Sequence, residues 1–280
     1  MPPTPPPGFG SGRAWYPSVV PELPDVEEFR RVLDSCGRRR SIRRVDVRDG
    51  GVLHDMSPRR FSRALEGRRF TEPVRHGKLL LARTGGPTVL LHFGMTGQLV
   101  CDTDEDPEHP HDRVVFVLGG GRRLRYRDQR KLRGLWLLGE KEETEWLRSQ
   151  GPDAASAGRA EVRAALRGSR AGVKSALMDQ TVLAGLGNLL ADEVLWRSRL
   201  DPRRSVALLS DEDHRRLYAA LHGTLGPAIR AGRVPPRGNW ITGHRDDPAG
   251  ECPRCGHRLE HARVAGRGTV WCPLCQPALS

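Results

Sequence analysis

Apolar residues are spaced differently in successive parts of the chain, and this change in spacing predicts its organisation. Residues 1–19 are rich in proline and glycine and show no periodic apolar pattern, which predicts a disordered segment. Within residues 25–36 the apolar positions recur on one helical face, and Pro24 stands immediately before them. We therefore expect a helix to begin the folded part of the chain.

Short apolar runs dominate from about residue 42 to residue 138. Glycines at 85–86 and 119–121 separate some of these runs, and close spacing of this kind favours an all-β sandwich or barrel. The runs that we expect to form strands are SIRRVDV, KLLLART, PTVLLHF, RVVFVLG, RRLRYRD and GLWLLG.

A helical spacing returns after residue 160, behind a small and polar stretch at 151–159 that is typical of a linker. The sequence therefore predicts an α+β multidomain protein. Its expected parts are an N-terminal β-sandwich domain with a leading helix at 21–150, a helical domain at 151–232, and a loop with a cysteine module at 233–280.

Four of the six cysteines form two Cys-x-x-Cys pairs that 16 residues separate, whereas Cys36 and Cys101 are isolated in the sequence. Paired cysteines at this spacing are typical of a zinc ribbon, in which two tight turns present four thiolates to one tetrahedral ion. Because all four ligands are cysteines, no coordination position is left open for catalysis. We expect one structural Zn²⁺ bound by Cys252, Cys255, Cys272 and Cys275.

The chain has a net charge of +12 and contains 42 arginines but only four lysines. Such basicity indicates a polyanionic partner, although an arginine-rich coding bias produces the same charge. Where arginine is the usual cation, the few lysines are candidates for specific roles. No run of about 18 apolar residues and no signal-peptide pattern is present, so we expect a cytoplasmic protein without a membrane partner.

The string Pro21-Glu22-Leu23-Pro24-Asp25 has two interpretations. Prolines before a first turn and acids at the positive end of the helix dipole are typical of an ordinary helix start. The same string resembles the mature N-terminus of the formamidopyrimidine-DNA glycosylase and endonuclease VIII family of DNA repair enzymes.

Two further segments carry this resemblance in the family's order. VKSALMDQ at 173–180, followed by VLAGLGN at 182–188 and ADE at 191–193, is similar to the family's helix–two-turn–helix element. GRGT at 266–269, leading into Cys-Pro-x-Cys-Gln, is similar to its zinc hairpin. The resemblance spans residues 21 to 277 and implies a bifunctional DNA glycosylase and abasic-site lyase that excises oxidised bases.

By this resemblance Pro21 is the nucleophile, through a free N-terminal secondary amine, and Glu22 is its acid–base partner. A chain-terminal amine has a pKa near 8, so a useful fraction is neutral and can attack the sugar C1′ atom. Lys78 in His-Gly-Lys opens a strand, where a lysine is either an ordinary surface residue or, by resemblance, the hairpin lysine that contacts the phosphate beside the lesion.

The resemblance also implies groups that hold and bend double-stranded DNA. Lys174, Asn188 and Arg267 correspond to phosphate contacts, although an asparagine at the start of a helix is also a common N-cap. Met95, Arg130 and Leu132 correspond to residues that fill the gap left by an extruded nucleotide, although Met95 also suits a core position. The family has phenylalanine where this chain has Leu132, which weakens the expected wedge.

Two more departures concern contacts with the substrate. Leu190 stands where the family has a tyrosine that contacts phosphate, and only 18 residues separate Arg233 from Cys252. Formamidopyrimidine glycosylases carry a longer loop there that closes over 8-oxoguanine. We therefore expect formamidopyrimidines, hydantoins, oxidised pyrimidines or abasic sites to be better substrates than 8-oxoguanine.

A free amine at Pro21 requires the active protein to begin there. Val20 precedes it, and a GTG start codon that is read as an internal codon gives valine. Residues 1–20 are therefore either a disordered extension or a mis-annotated one in which Val20 is the initiator methionine, and proteolytic trimming would expose the same proline. We expect the active form to act as a monomer. The alternatives are a non-catalytic DNA-binding protein in which Pro21 stays masked, and a zinc-ribbon protein with an RNA or protein partner, against which the Pro21-Glu22 pair argues.

Overall fold

The structure is a computed structural model, and it describes residues 20–278. The disorder expected for residues 1–19 concerns positions outside this range. Within it, three units follow one another along the chain, as the sequence predicts: a β-sandwich behind a leading helix, a helical unit, and a C-terminal hairpin module. No helix in the described range is long and apolar enough to cross a membrane.

The leading helix, α1, spans Leu23–Gly37. The carboxylate of Asp25 accepts a hydrogen bond from the backbone N–H of Glu22 at 2.9 Å, which satisfies one of the free donors at the helix start. Val26 and Leu33 are buried against the sandwich, while Leu23 packs into the core of the helical unit. This helix therefore belongs to both hydrophobic cores.

Two antiparallel four-stranded sheets form the sandwich, in the orders β1-β6-β7-β5 and β2-β3-β4-β8. Their inward-facing apolar side chains make the N-terminal core. The strands are β1 Ile42–Val47, β2 Val74–His76, β3 Leu79–Ala82, β4 Thr88–His92, β5 Gln98–Thr103, β6 Asp112–Leu118, β7 Arg122–Arg127 and β8 Leu135–Leu138.

Two helices lie where the sequence pattern did not predict them. Helix α2 spans Pro58–Leu65, begins at the N-cap Ser57 and buries Phe61 and Leu65. Helix α3 spans Glu140–Arg148 and has no buried residue. Both are short, at eight and nine residues, and each contains only two large apolar side chains, too few to define a period in the sequence.

Cys36 and Cys101, which are isolated in the sequence, form a disulfide bond in the structure, with their Cα atoms 6.0 Å apart. The bond joins the last turn of α1 to β5, the edge strand of the first sheet. The two cysteines are 65 positions apart in the sequence, and only the packing of α1 on the sheet brings them together, so their spacing does not indicate the bond.

The helical unit contains α4 Arg159–Arg167, α5 Val173–Met178, α6 Asn188–Ser198 and α7 Asp211–Ala231. Ser210 caps α7 by accepting from the N–H of Asp213, and Gly232 ends the helix with a φ of 67°. Eight of the 11 residues of α6 are buried, because α5, α7 and the C-terminal module surround it. Helix α6 is thus the central element of the C-terminal half.

The segment after α7 is not a free loop. Trp240 packs into the core of the helical unit, and the adjacent Ile241 packs into the core of the C-terminal module. Thr242 donates hydrogen bonds from its N–H and hydroxyl to the carboxylate of Glu193, at 3.3 and 3.4 Å. This segment, residues 233–251, therefore joins two cores.

The C-terminal module is a hairpin of β9 Glu260–Val264 and β10 Arg267–Trp271, flanked by the two cysteine pairs. Every two of the four sulfur atoms lie within 4.8 Å of each other, and three of the pairs are 3.5 to 3.9 Å apart. A tetrahedron with zinc–sulfur bonds of about 2.3 Å requires sulfur atoms about 3.8 Å apart. The four thiolates therefore fit one structural zinc ion, as the spacing predicts.

We predict that the protein binds one zinc ion per chain and that Cys272→Ser removes both the metal and the affinity for DNA. Cys272 is fully buried at the base of the hairpin that carries Arg267, so loss of the ion releases that hairpin. Metal analysis and binding titrations measure the two effects. A zinc-free wild-type protein, or a Cys272→Ser protein with normal DNA affinity, would contradict the prediction.

We further predict that the denatured, metal-free protein contains four titratable thiols rather than six, since Cys36 and Cys101 are bonded to each other. A cross-link over a loop of this length stabilises by about 3–4 kcal/mol. Cys36→Ser, Cys101→Ser and the double variant should therefore lower the melting temperature by the same amount. Additive losses would show that the two residues act separately.

Candidate functional site

The carboxylate of Glu22 lies at the N-terminal end of α6, in a different unit from its own helix. It accepts hydrogen bonds from the backbone N–H groups of Gly187 at 2.8 Å, Leu189 at 2.8 Å and Leu190 at 3.1 Å. These are donors that a helix start leaves without intrahelical partners, and the helix dipole favours a negative charge there. A Cβ atom on Gly187 would lie 2.4 Å from the Glu22 carboxyl carbon, so only glycine allows this approach.

Burial governs the charge state of Glu22. Its side chain is almost completely buried, which raises the pKa of the carboxyl, while the charge of Lys78 and the three backbone donors lower it. Burial lowers the pKa of Lys78 in turn, and Glu22 opposes that effect. Burial likewise raises the pKa of Asp25 to about 7. Two acids with raised pKa values and one lysine thus share a partly dehydrated site, which suits proton transfer near neutral pH.

Pro21 lies beside Glu22 at the start of α1 and is buried. In the described chain its nitrogen forms an amide with Val20, so it has no lone pair available for attack. Val20, the first described residue, is 38% exposed. Removing the residues before Pro21 would therefore place a secondary amine in the pocket that holds Glu22.

Lys78 is positioned by the hairpin between β2 and β3. Gly77 has a φ of 55°, and a Cβ atom there would lie 2.6 Å from Cβ of Ala184, so the hairpin turn rests directly on the helical unit. The N–H of Gly77 donates to the carboxylate of Asp153 at 2.6 Å, and Asp153 also forms an ion pair with Arg75. The stretch at 151–159 is thus an anchor for the hairpin and not merely a linker.

The structure brings Lys174 and Asn188 together at one backbone group, the carbonyl of Gly268, which is the residue after Arg267. Asn188 is the first residue of α6 and not its N-cap, which is Gly187, and its Nδ2 donates to Gly268 O at 2.9 Å. Arg267 stands at the exposed start of β10, close enough for its charge to lower the pKa of Lys78. Asn188 and Arg267 therefore border the site that contains Glu22 and Lys78.

Lys174 differs from the expectation of a phosphate contact. Its side chain is 0% exposed, and its Nζ donates to Asp192 at 2.6 Å, Thr269 at 2.6 Å and Gly268 O at 3.4 Å. Three partners use all three donors of an ammonium group. Direct contact with a phosphate would require Lys174 to give up one of these bonds. Sequence position could not reveal this burial, since two of the partners come from the C-terminal hairpin.

The proposed wedge residues come from two neighbouring loops of the sandwich. Met95 lies between β4 and β5, and Arg130 and Leu132 lie between β7 and β8. Arg130 Nη1 contacts Met95 Sδ at 3.1 Å, and the hydroxyl of Thr96 accepts from the N–H of Arg130 at 3.0 Å. Leu132 is 50% exposed, which leaves it available to a ligand. Met95 is not buried, so it is not a core methionine.

Sequence reasoning did not identify three residues that shape this site. Asp25 touches the backbone of Glu22, Asp153 fastens the lysine hairpin, and Arg245 pairs with the buried Asp192. Asp25 lies in the motif that was recognised, so its proximity could have been inferred. The partners of Asp153 and Arg245 are distant in sequence, and no spacing signal marks them.

Comparisons with known proteins agree with this architecture. Three family profiles match in succession: the formamidopyrimidine-DNA glycosylase N-terminal domain at residues 20–135, its H2TH domain at 150–235, and the zinc finger found in FPG and IleRS at 251–278.

Curated relatives match over nearly the whole chain. Formamidopyrimidine-DNA glycosylase of Moorella thermoacetica is 38% identical over 261 residues, covering 91% of this chain and 92% of that protein. The protein of the same name from Bacillus subtilis is 33% identical, covering 92% and 99%.

Among solved structures, Lactococcus lactis Fpg in complex with DNA containing an abasic site superimposes with a TM-score of 0.83 at 26% identity, covering 92% of this chain and all of that one. A complex of the wild-type Lactococcus lactis protein with DNA containing N7-benzyl-Fapy-dG gives a TM-score of 0.82. The chain belongs to the formamidopyrimidine-DNA glycosylase family, and is a DNA glycosylase with abasic-site lyase activity.

Proposed function

We propose that the reaction of this family runs in this chain on Pro21, with Glu22 as the proton-transfer partner and Lys78 as a contact to the phosphate beside the lesion. The observation that carries the proposal is the Glu22 carboxylate, held in a buried site by three backbone donors next to the proline. A buried acid with a raised pKa retains a proton at higher pH than a free one, so it can donate that proton.

The steps follow from this placement. The neutral secondary amine of a terminal Pro21 attacks C1′ of the damaged nucleotide, the glycosidic bond breaks, and the base leaves with the bonding electrons and takes up a proton. Glu22 protonates the ring oxygen as its bond to C1′ opens, and loss of the amine proton leaves an iminium ion. The iminium acidifies the C2′ proton, whose removal expels the 3′ phosphate and cleaves the strand.

DNA is held, in our proposal, by the cations that border this site. Arg267 lies close enough to Lys78 for its charge to lower the lysine pKa, and Asn188 donates to the carbonyl of Gly268, the residue after Arg267. Met95, Arg130 and Leu132 fill the gap that the extruded nucleotide leaves, from loops on the sandwich. Because duplex DNA is the substrate, we also propose that the protein works in the bacterial cytoplasm. We propose separately that it acts as a monomer.

The second candidate, which applies to the untrimmed chain, is a protein that binds DNA without chemistry because Pro21 stays masked. The amide between Val20 and Pro21 in the described chain favours it. Against it, the N-terminal family profile begins at residue 20, and the Bacillus subtilis relative is covered to 99% of its length by 92% of this chain. These boundaries support a proline that stands at or near the N-terminus of the active form.

The 233–251 segment bears on which lesion is preferred. Trp240 and Ile241 pack into two different hydrophobic cores, and Thr242 is hydrogen-bonded to Glu193. The middle of the segment is therefore held in place and cannot move as a lid over a base would. This arrangement supports a preference for substrates other than 8-oxoguanine.

We predict that only protein beginning at Pro21 is active. Two forms should be expressed, one from Met1 and one as Met followed by Pro21 onward. Removal of the initiator methionine before the small proline exposes Pro21 in the second form, and mass spectrometry should confirm both N-termini. The second should cleave abasic DNA and form a covalent adduct that borohydride traps, because its secondary amine is free. Pro21→Gly or Glu22→Gln should impair it about 100-fold or more.

The untrimmed Met1 form is the matched control, since it has the same fold and the same DNA-binding residues. It should bind a duplex with a tetrahydrofuran abasic analogue with similar affinity and give no trapped adduct. Equal trapping by an untrimmed Met1 form would show that the nucleophile lies elsewhere.

We also predict that single-turnover excision is faster for a formamidopyrimidine, a hydantoin or an oxidised pyrimidine than for 8-oxoguanine. Matched duplexes that differ only in the lesion, with the Met-Pro21 protein in excess, measure this directly. A duplex with an abasic site is the control substrate for the lyase step, because that step is common to every lesion. A clear preference for 8-oxoguanine over all other lesions would refute the interpretation of the 233–251 segment.

A further inference from the structure

The carbonyl of Gly268, one residue beyond Arg267, receives three donors. Two are Lys174 and Asn188, and the third is Arg245 Nη2, from the 233–251 segment. A carbonyl oxygen has two lone pairs, so three donors are more than it usually receives. Two of these donors are charged, and charged donors make stronger hydrogen bonds, so the backbone is held firmly at this position.

Arg245 holds a second group at the same place. Its Nη1 pairs with the carboxylate of Asp192, which is fully buried in α6 and also pairs with Lys174. The same carboxylate accepts from the N–H of Val270 at 3.4 Å. The guanidinium therefore bridges a carboxylate on α6 and the backbone of β10, and it does so with two separate nitrogens, Nη1 and Nη2, of one planar group.

The position of Arg245 is fixed from behind. Ile241, four residues earlier, is completely buried among Trp196, Cys252 and Val270, and Trp240 stacks under Arg197 with a guanidinium-to-ring distance of 4.7 Å. The arginine thus stands on an ordered segment, and its side chain is only 15% exposed. Its donors are aimed into the protein rather than toward a ligand.

The hairpin needs such support. A two-stranded sheet is marginally stable alone, and four of the five residues of β9 are exposed. Zinc fixes the cysteine end of the hairpin, whereas Arg267 lies at the other end, after the turn at 265–266. At that end the hairpin is tied to α6 through the Gly268 carbonyl and the Val270 N–H, both of which converge on the Arg245–Asp192 pair.

We propose that Arg245 is a positioning residue for DNA binding: it fastens the tip of the zinc hairpin to α6 and so fixes the place where Arg267 meets the phosphate. This inference rests on the proposed function, in that Arg267 is taken to contact DNA. In this proposal, the short 233–251 segment fixes the position of the zinc module relative to the helical unit.

A double-mutant cycle on affinity for a duplex with a tetrahydrofuran abasic analogue tests the proposal without chemistry. Arg267→Ala should weaken binding about tenfold and lower the salt dependence by the equivalent of about one phosphate. Arg245→Ala should weaken binding by a similar factor. If Arg245 acts through Arg267, the double variant binds no worse than Arg267→Ala alone and shows the same salt dependence as that variant.

Additive effects in the double variant, with a salt dependence lowered by the equivalent of two phosphates, would overturn the proposal, because Arg245 would then bind DNA itself. An Arg245→Ala protein that binds normally would overturn it as well. An Arg267→Ala protein with normal affinity would instead refute the proposed role of Arg267, a separate failure of the proposed function.

Zinc content and melting temperature distinguish positioning from a general loss of fold. Arg245→Lys keeps a cation beside Asp192 but lacks the second nitrogen that bonds Gly268 O. This variant should therefore retain zinc and still lose several-fold in DNA affinity. Loss of zinc from both Arg245 variants would overturn the proposal in favour of a folding role. Arg258→Ala, which removes an exposed arginine bonded to Pro248 O in the same module, is the matched control and should bind normally.

Discussion

The hydrogen bonds from the start of α6 to the Glu22 carboxylate are the interaction on which the functional architecture depends. They join the first residues of the sandwich domain to the central helix of the C-terminal half, and they hold the acid of the N-terminal motif in its place. Leu23 reinforces the junction by donating its N–H to Gly185 O at 3.0 Å and by packing into the second core. The proposed catalytic acid is therefore also a structural link between domains.

Around this link, the buried charged side chains of the site form ion pairs with side chains of opposite charge. Arg75 and Asp153 fasten the hairpin of Lys78, and Lys174, Arg245 and Asp192 fasten the hairpin of Arg267. Buried ion pairs cost desolvation and give little net stability, but removing one partner is severely destabilising, so they suit positions where geometry matters more than stability. Each hairpin is thereby held near its turn, next to Lys78 in one case and next to Arg267 in the other.

The sequence predicted those parts of the protein whose signal is local. The two Cys-x-x-Cys pairs, the Pro21-Glu22 string and the strand pattern each lie within a few residues, and the structure agrees with the fold and the metal site that they imply. The disulfide, the burial of Lys174 and the role of Asp153 depend on residues that are dozens of positions apart. The disulfide results from the packing of α1 on the first sheet, and the other two features result from the docking of one unit on another. Periodicity and spacing describe neither kind of contact.

The crossing of Glu22 from one domain to another has a consequence for how such proteins can be recombined. A chimera that exchanges the sandwich domain with that of a relative must also match the backbone at Gly187, where any side chain would collide with the incoming carboxylate. The N-terminal pentapeptide and the turn before α6 therefore form one inherited unit, although about 160 residues of chain lie between them. Domain boundaries drawn along the sequence cut through this unit, and modules swapped at those boundaries would carry only half of an active site.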